Sequence, residues 1–308
     1  MKKLSLPVGA APIVQLDIPA DIELYIKRED LVHPSISGNK YWKLFHNINR
    51  YADRSIPDEE RLIITFGGAF SNHISALASF GAMASVKTIG VIRGEELKNS
   101  SVYNPTLSVA IDNGMELHFV SREEYRDKEA LYREYQTRFP AALIIPEGGS
   151  NATAVEGIGY MLGPDTKEFK YLCAAVGTGG TVAGLSRFAG DDQKVIGFGV
   201  VKDSALPARI RELGARDNLE LKDAAGAGYG KINDEDVRFI NAFHQRHGIP
   251  LDPVYTGKMM RKLISLADDG FFAKGSKVLA FHTGGLQGIA GANDFLRQKQ
   301  RPIINYQI

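Results

Sequence analysis

The 308-residue sequence predicts an α/β protein of two domains, built on parallel sheets flanked by helices. Three observations predict it. Short apolar runs alternate with amphipathic helical stretches along most of the chain. Several of these runs are apolar throughout, as strands covered on both faces are. Glycine-rich turns stand directly after them, at the strand ends where open parallel sheets bind ligands.

Composition narrows the function classes. Hydrophobic residues make up 44%, ample for a core, and 37 Lys+Arg against 36 Asp+Glu leave a formal net charge of +1, too weak a field for nucleic acid or an anionic membrane surface. Behind Met1-Lys2-Lys3 the apolar run is broken by Pro7, Gly9 and Pro12, so it reads as neither a signal peptide nor a membrane anchor. The single cysteine, Cys173, rules out an intrachain disulfide and a cysteine-based zinc site, and a cytoplasmic location is expected.

In chain order, Glu23–Lys27 alternates polar and apolar residues like a half-buried strand. Ser37-Gly38-Asn39-Lys40 is a small polar turn, after which Leu44, Phe45, Ile48 and Tyr51 recur at one-face helical spacing. Lys40 therefore sits in or just before the first helical turn, where the unpaired backbone N–H groups disfavour an ammonium and ready the amine for Schiff-base chemistry. Residues 62–66 read as a central parallel strand ending in Gly67-Gly68-Ala69-Phe70-Ser71-Asn72. Ser71 or Asn72 can cap the next helix, which Gly81 is expected to stop.

The rhythm repeats with a strand over 86–92, a helix over 105–113, a strand at Glu116–Val120 and a short strand over 142–145. Pro105 near its start and Gly114 just past its end bracket the first of these helices. Ser121 and Glu124 form a capping-box signature for a helical stretch reaching Phe139. Pro146-Glu147-Gly148-Gly149-Ser150-Asn151 then turns the chain into another helix. A second series follows: strand Tyr171–Val176, loop Gly177-Thr178-Gly179-Gly180-Thr181, helix 182–188, strand 195–201, helices near 206–213, 235–247 and 258–268, strand Lys277–Phe281 and a last helix after Gly288. This rhythm assigns 1–50 and 151–308 to a larger domain and 51–150 to a smaller inserted one.

The loop from Gly177 to Thr181 has what a phosphate needs: a strand before it, close-approach glycines, the Thr178 and Thr181 hydroxyls and a helix start after it. It fails the dinucleotide fingerprint, since Val182 stands where the third glycine belongs, and it lacks the lysine and hydroxyl that complete an ATP loop. A phosphate cradle without a nucleotide signature, in a chain with a poised lysine, points to pyridoxal phosphate. His244 and His247, three apart on a helix, have no apparent third ligand, so no metal is expected. Cys173, inside an apolar strand, reads as a small core residue.

Six blocks then carry a resemblance: Ser37-Gly38-Asn39-Lys40, Gly67-Gly68-Ala69-Phe70-Ser71-Asn72-His73, Gly148-Gly149-Ser150, Gly177-Thr178-Gly179-Gly180-Thr181, the run Asp252-Pro253-Val254-Tyr255-Thr256-Gly257-Lys258, and His282-Thr283-Gly284-Gly285. In this order they resemble the 1-aminocyclopropane-1-carboxylate deaminase and D-cysteine desulfhydrase family, within the tryptophan-synthase-β-like (fold type II) pyridoxal phosphate enzymes. The resemblance implies that the larger domain binds the cofactor and that the protein is a homodimer.

Residue by residue, the resemblance implies that Lys40 carries the cofactor and later moves protons at the substrate's α-carbon. Asn72 would hydrogen-bond the cofactor's 3-oxygen, and Gly177, Thr178, Gly179, Gly180 and Thr181 would hold its phosphate. Ser71 with the neighbouring N–H groups would receive the substrate carboxylate, with Asn72 and His73 beside it. Tyr255 would lie against the pyridine ring, and Tyr229 would match the family's second active-site tyrosine. Tyr41-Trp42 departs from the family, which usually has an arginine there; Lys43 is retained.

The family's cyclopropane-opening branch carries a glutamate and a bulky aliphatic residue where this chain has Thr256 and Thr283. A glutamate beside the ring nitrogen keeps it protonated; threonine hydroxyls do so less. The threonine pair resembles the desulfhydrase branch, which implies α,β-elimination: D-cysteine to pyruvate, hydrogen sulfide and ammonia. The alternatives are the cyclopropane-acid deaminase, elimination from a β-chloro or O-acetyl D-amino acid, an L-serine or L-threonine dehydratase, and a non-catalytic pyridoxal phosphate carrier or sensor. The presence of Ser71, Tyr229 and Tyr255 favours an enzyme over a carrier.

Overall fold

In the computed structural model, which describes residues 1–36, 38–226, 228 and 230–306, the chain forms two sheets with helices on their faces. The order is β1 (Ile13–Leu16), β2 (Glu23–Lys27), α1 (Asn39–Ala52), β3 (Leu62–Gly68), α2 (Asn72–Ala84), β4 (Lys87–Arg93), α3 (Pro105–Asp112), β5 (Glu116–Val120), α4 (Lys128–Arg138), β6 (Leu143–Ile145) and α5 (Ala152–Ile158). It continues through β7 (Tyr171–Val176), α6 (Gly180–Phe188), β8 (Lys194–Gly199), α7 (Leu206–Glu212), β9 (Leu219–Asp223), α8 (Asp234–His247), α9 (Thr256–Asp268), β10 (Lys277–Phe281) and α10 (Gly288–Gln298). The larger sheet runs β1-β2-β10-β7-β8-β9 and the smaller β5-β4-β3-β6. Apart from the antiparallel β1–β2 pair, neighbours in both sheets are parallel. The α/β expectation therefore holds.

The most apolar runs lie in the sheet interiors. All six residues of β7 are buried, and β3 lies between β4 and β6 with its middle five buried. Burial on both faces is what a strand without polar alternation requires. Each of these two strands runs into a glycine-rich turn at its carboxyl end, and each turn opens a helix, α6 after β7 and α2 after β3. That pair of strand ends forms the floor of the site.

Several local expectations change. Gly81 does not stop α2, which continues to Ala84 and closes on Ser85 in a left-handed conformation (φ 51°). Gly81 instead lets the helix pack onto β4, since a Cβ there would lie 2.7 Å from Thr88 Cγ2. The Ser121–Glu124 box forms, with hydrogen bonds of 3.1 and 2.8 Å, but it closes a single 3-10 turn. The α-helix α4 has its own cap, Asp127, which accepts from Ala130 N. Strands β1 and β9 were not anticipated; both are at sheet edges, where tertiary pairing defines a strand more than an apolar run does. Among the described residues no helix is long and apolar enough to cross a membrane.

Candidate active site

The blocks singled out in the sequence meet in a cleft of about 930 Å³, lined among others by Lys40, Ser71, Asn72, His73, Gly177, Thr178, Gly179, Thr181, Tyr255 and Thr283. They are brought together by backbone approaches that admit only glycine. Gly38, with φ +65°, packs on the Thr283 carbonyl, where any Cβ would collide, so the lysine turn rests directly on the turn after β10. Gly177 faces Tyr255, whose Cε1 would be 3.0 Å from a Cβ there, which sets the tyrosine against the start of the glycine loop.

Lys40 lies in the first turn of α1, and its Nζ reaches the Gly148 carbonyl at 3.4 Å. The surrounding protein removes water from the amine and pulls its pKa from 10.5 down to about 8. The cause is this burial rather than the helix start considered from the sequence. One turn on, Lys43 donates to the same carbonyl at 3.0 Å and to Ser150 Oγ at 2.9 Å. Burial, and secondarily the Lys40 charge, hold its pKa well below the usual lysine value. His73 completes the group. It is 1% exposed, neither ring nitrogen has a hydrogen-bond partner, and burial followed by the two lysine charges keeps it well below the usual histidine range. Its ring packs over Gly149, which has room for no Cβ.

The loop over 177–181 has an open helix start. Gly179 (φ 94°) opens α6, and no side chain caps that helix, so its first backbone N–H groups face the cleft without a partner from a capping residue. Asn39 Nδ2 donates to Thr181 Oγ1 at 2.7 Å, which leaves the Thr181 proton to be donated onward. Lys43 donates to Ser150, and Ser150 Oγ lies 2.5 Å from Thr178 Oγ1. The same logic passes a donor from Lys43 through Ser150 and Thr178 toward the loop. Gly180 leaves space for this relay, since a Cβ there would sit 2.6 Å from Ser150 Oγ and 3.2 Å from Lys43 Nζ. Two depressed lysines beside an uncapped helix start form a site that an aldehyde-bearing phosphate fits on both counts.

The other helix start is different. Ser71 caps α2, its Oγ accepting from His73 N at 3.3 Å and Ile74 N at 3.4 Å. Asn72 follows as the first helical residue and accepts a hydrogen bond from Gln287.

Two expected residues stand apart. Thr256 does not line the cleft: it is fully buried, and its hydroxyl donates to Asp252 Oδ1 at 2.7 Å while accepting from Asp252 N at 2.9 Å. The cause is local, because Asp252 gathers the N–H groups of Val254, Tyr255 and Thr256 to start α9 and takes the hydroxyl with them. In this structure the Thr256 hydroxyl is engaged at the helix start. Tyr229 lies outside the described residues; Lys258 Nζ holds its neighbourhood, donating to the carbonyls of Ala225 at 3.1 Å and Gly228 at 2.8 Å.

Reading the sequence noted Lys43 and Ser150 but assigned them no role in the site. The signal for Lys43 was its position three residues after Lys40, which places both amines on one helix face. His244 packs against Tyr306, ring centroids 4.2 Å apart and tilted by 34°, and among the described residues no group of three or more His, Cys, Asp or Glu side chains is placed to hold a metal. Cys173 is buried, and burial raises its thiol pKa, consistent with an inert core residue.

Known proteins resemble this chain along most of its length. The model of the family described as "Pyridoxal-phosphate dependent enzyme" matches residues 4–284. The chain is 32% identical to a putative 1-aminocyclopropane-1-carboxylate deaminase of Pyrococcus horikoshii, over 92% of this chain and 90% of that protein. It is 29% identical to a D-cysteine desulfhydrase of Yersinia pestis, over 92% of this chain and 93% of the relative. A crystal structure of an ACC deaminase homologue superposes with a TM-score of 0.82 at 28% identity, covering 96% of this chain and 95% of the other.

Proposed function

This chain belongs to the pyridoxal-phosphate-dependent enzymes, and we propose that it eliminates a β-thiol from a small amino acid, with D-cysteine giving pyruvate, hydrogen sulfide and ammonia. Pyridoxal phosphate, when bound, supplies an aldehyde that condenses with an amine and a ring that takes up the electron pair left at the substrate's α-carbon. Lys40 Nζ, depressed to about 8, reaches the free-amine form in mildly basic solution, where an ordinary lysine stays charged, and is the group to take the α-proton. The open N-terminus of α6, with Thr178, Thr181 and the Lys43 donor relay, holds the phosphate. Ser71 and the first N–H groups of α2 orient the substrate carboxylate, exchanging the long internal cap bonds for shorter ones to an anion. Asn72 donates to the 3-oxygen, Tyr255 lies against the ring beside Gly177, and Tyr229 acts on the substrate side.

The observation that carries the choice of thiol elimination is the side-chain chemistry at the two branch positions. Thr283 lines the cleft with a hydroxyl, and Thr256 is locked onto Asp252, so neither position offers a carboxylate to hold a proton on the ring nitrogen. The deaminase reading stays second, favoured by the Pyrococcus relative and by the structural likeness to an ACC deaminase homologue. The two-sheet arrangement supports 51–150 as the smaller domain and 1–50 with 151–308 as the cofactor-binding one. A cytoplasmic homodimer completes the reading, on the strength of the family resemblance.

The test is to supply the holoprotein separately with D-cysteine, L-cysteine and 1-aminocyclopropane-1-carboxylate while measuring sulfide and keto acid. Sulfide with pyruvate from D-cysteine alone is the expected result. Turnover of only the cyclopropane acid would overturn the threonine argument while leaving the family membership intact.

A further inference from the structure

After β10 the chain passes His282-Thr283-Gly284-Gly285 and enters α10 at Gln287. Gln287 holds the N-cap position of that helix, yet its side chain makes no capping hydrogen bond. Its Nε2 donates instead to Asn72 Oδ1, at the first residue of α2 and 215 positions earlier in the chain. The approach depends on Gly285 (φ +97°), where a Cβ would sit 2.8 Å from Asn72 Nδ2. Asn72 and Gln287 both line a second cavity of about 860 Å³, and Asn72 alone of the two also lines the cofactor cleft, so their contact lies where the two spaces meet.

An amide group is polar in a directional way, with one end that only accepts and one that only donates. A carboxamide free to turn about its last bond offers either end to a ligand. In the arrangement seen, Gln287 donates to Oδ1 and occupies that end of the amide. The oxygen is committed to Gln287, and Nδ2, beside Gly285, is the end that stays open to another acceptor. We infer that Gln287 is a positioning residue for the cofactor, fixing the Asn72 amide so that a donor and not an acceptor meets the cofactor's 3-oxygen. This rests on the reading of Asn72 given above. A donor at that oxygen favours the resting imine with its proton on nitrogen and negative charge on oxygen; an acceptor favours the proton on oxygen.

The experiment is absorbance of the holoenzyme at fixed pH, reading the ratio of the long-wavelength band (proton on the imine nitrogen) to the short-wavelength band (proton on the 3-oxygen). Equilibrium dialysis of pyridoxal phosphate accompanies it. In Gln287→Glu the new side chain opens on a solvent-connected cavity and is ionised, so it only accepts. It draws Nδ2 to itself and turns Oδ1 on the cofactor. The band ratio is expected to fall roughly tenfold, the size of a charge-assisted hydrogen bond. Gln287→Met keeps the bulk without the polarity and falls less. Asn72→Ala falls as Gln287→Glu does, and the double variant falls no further than Asn72→Ala alone.

A merely structural role for Gln287 would lower the thermal midpoint and leave the ratio in place, which overturns the inference. If Asn72→Ala shifts the ratio and Gln287→Glu does not, the inference fails while the Asn72 reading stands. An unshifted ratio in Asn72→Ala removes that reading and the inference with it.

Discussion

The two glycine-rich turns that open α2 and α6 look alike as sequence, both following a buried parallel strand and both delivering a helix N-terminus to the same cleft. Their structures diverge at one residue. Ser71 caps α2 with its own hydroxyl, at 3.3 and 3.4 Å, whereas α6 begins at a left-handed Gly179 that has no side chain to give. One start is provisionally satisfied by the protein and the other is left open. A transient anion that must leave suits the first, since Ser71 can return to its own backbone; a resident phosphate suits the second, which has nothing to return to. The difference teaches that an anion site's residence time can be set by whether the chain keeps a substitute ligand at hand.

The strongest way to sharpen this contrast is to remove the amine between the two sites. Lys40→Ala is expected to cut sulfide production by at least about a thousandfold, the scale of a lost general base, while dialysis still shows pyridoxal phosphate retained by the α6 start. Loss of the phosphate-side relay comes next. Lys43→Met removes the donors to Gly148 and Ser150 and should raise the cofactor dissociation constant about tenfold with the substrate KM unmoved. Ser71→Ala is its mirror image. KM should rise several-fold to about tenfold and folding stability should fall by about 1 kcal/mol, with cofactor affinity unchanged. A matched rise in cofactor dissociation constant and KM in both variants would erase the distinction between the two starts.

Smaller effects follow from titration. The rate at which apoprotein takes up pyridoxal phosphate should climb with pH through about 8, as the Lys40 amine is freed, and level off above it, whereas an ordinary lysine would still be gaining free amine toward 10.5. At the foot of α1, the Glu29 carbonyl accepts from Gly38 N at 3.1 Å, and its carboxylate accepts from the indole of Trp42 at 2.6 Å. Burial raises the Glu29 pKa from 4.5 to about 7. A folded-state value above the unfolded one means that the fold gains protons between the two, so its contribution to stability is full below 4.5 and is lost as pH rises through about 7. Glu29→Gln should flatten that decline in denaturant titrations followed by the fluorescence of Trp42, the single tryptophan.

Much of this was legible beforehand, and the reason is spacing along the chain. Strand, glycine turn and helix start are local events, so the turns at Gly67 and Gly177 could be placed from a dozen residues each. The pairings between them were not local. Whether Thr256 faced the cleft depended on Asp252 claiming its hydroxyl. The amide of Gln287 reached across 215 residues to Asn72, with no periodicity to announce it. Gly81 looked like a helix stop because glycine often is one, and only the nearness of Thr88 shows that it serves packing. Lys43 was available on the same face as Lys40, but its burial, which lowers its pKa, depends on packing that the sequence does not display.

Strand β2 lies beside β10 in the larger sheet, Lys27 opposite Phe281, and Gly38 leans on the Thr283 carbonyl just beyond. The turn that precedes Lys40 is thus synthesised early but rests on a segment made much later. During translation the 51–150 stretch carries all the strands of its own sheet and can settle first, while the half-built pocket around Lys40 stays open until the turn after β10 has emerged. A chain that stops short of that turn lacks the carbonyl on which Gly38 rests, and it is expected to take up pyridoxal phosphate poorly in dialysis.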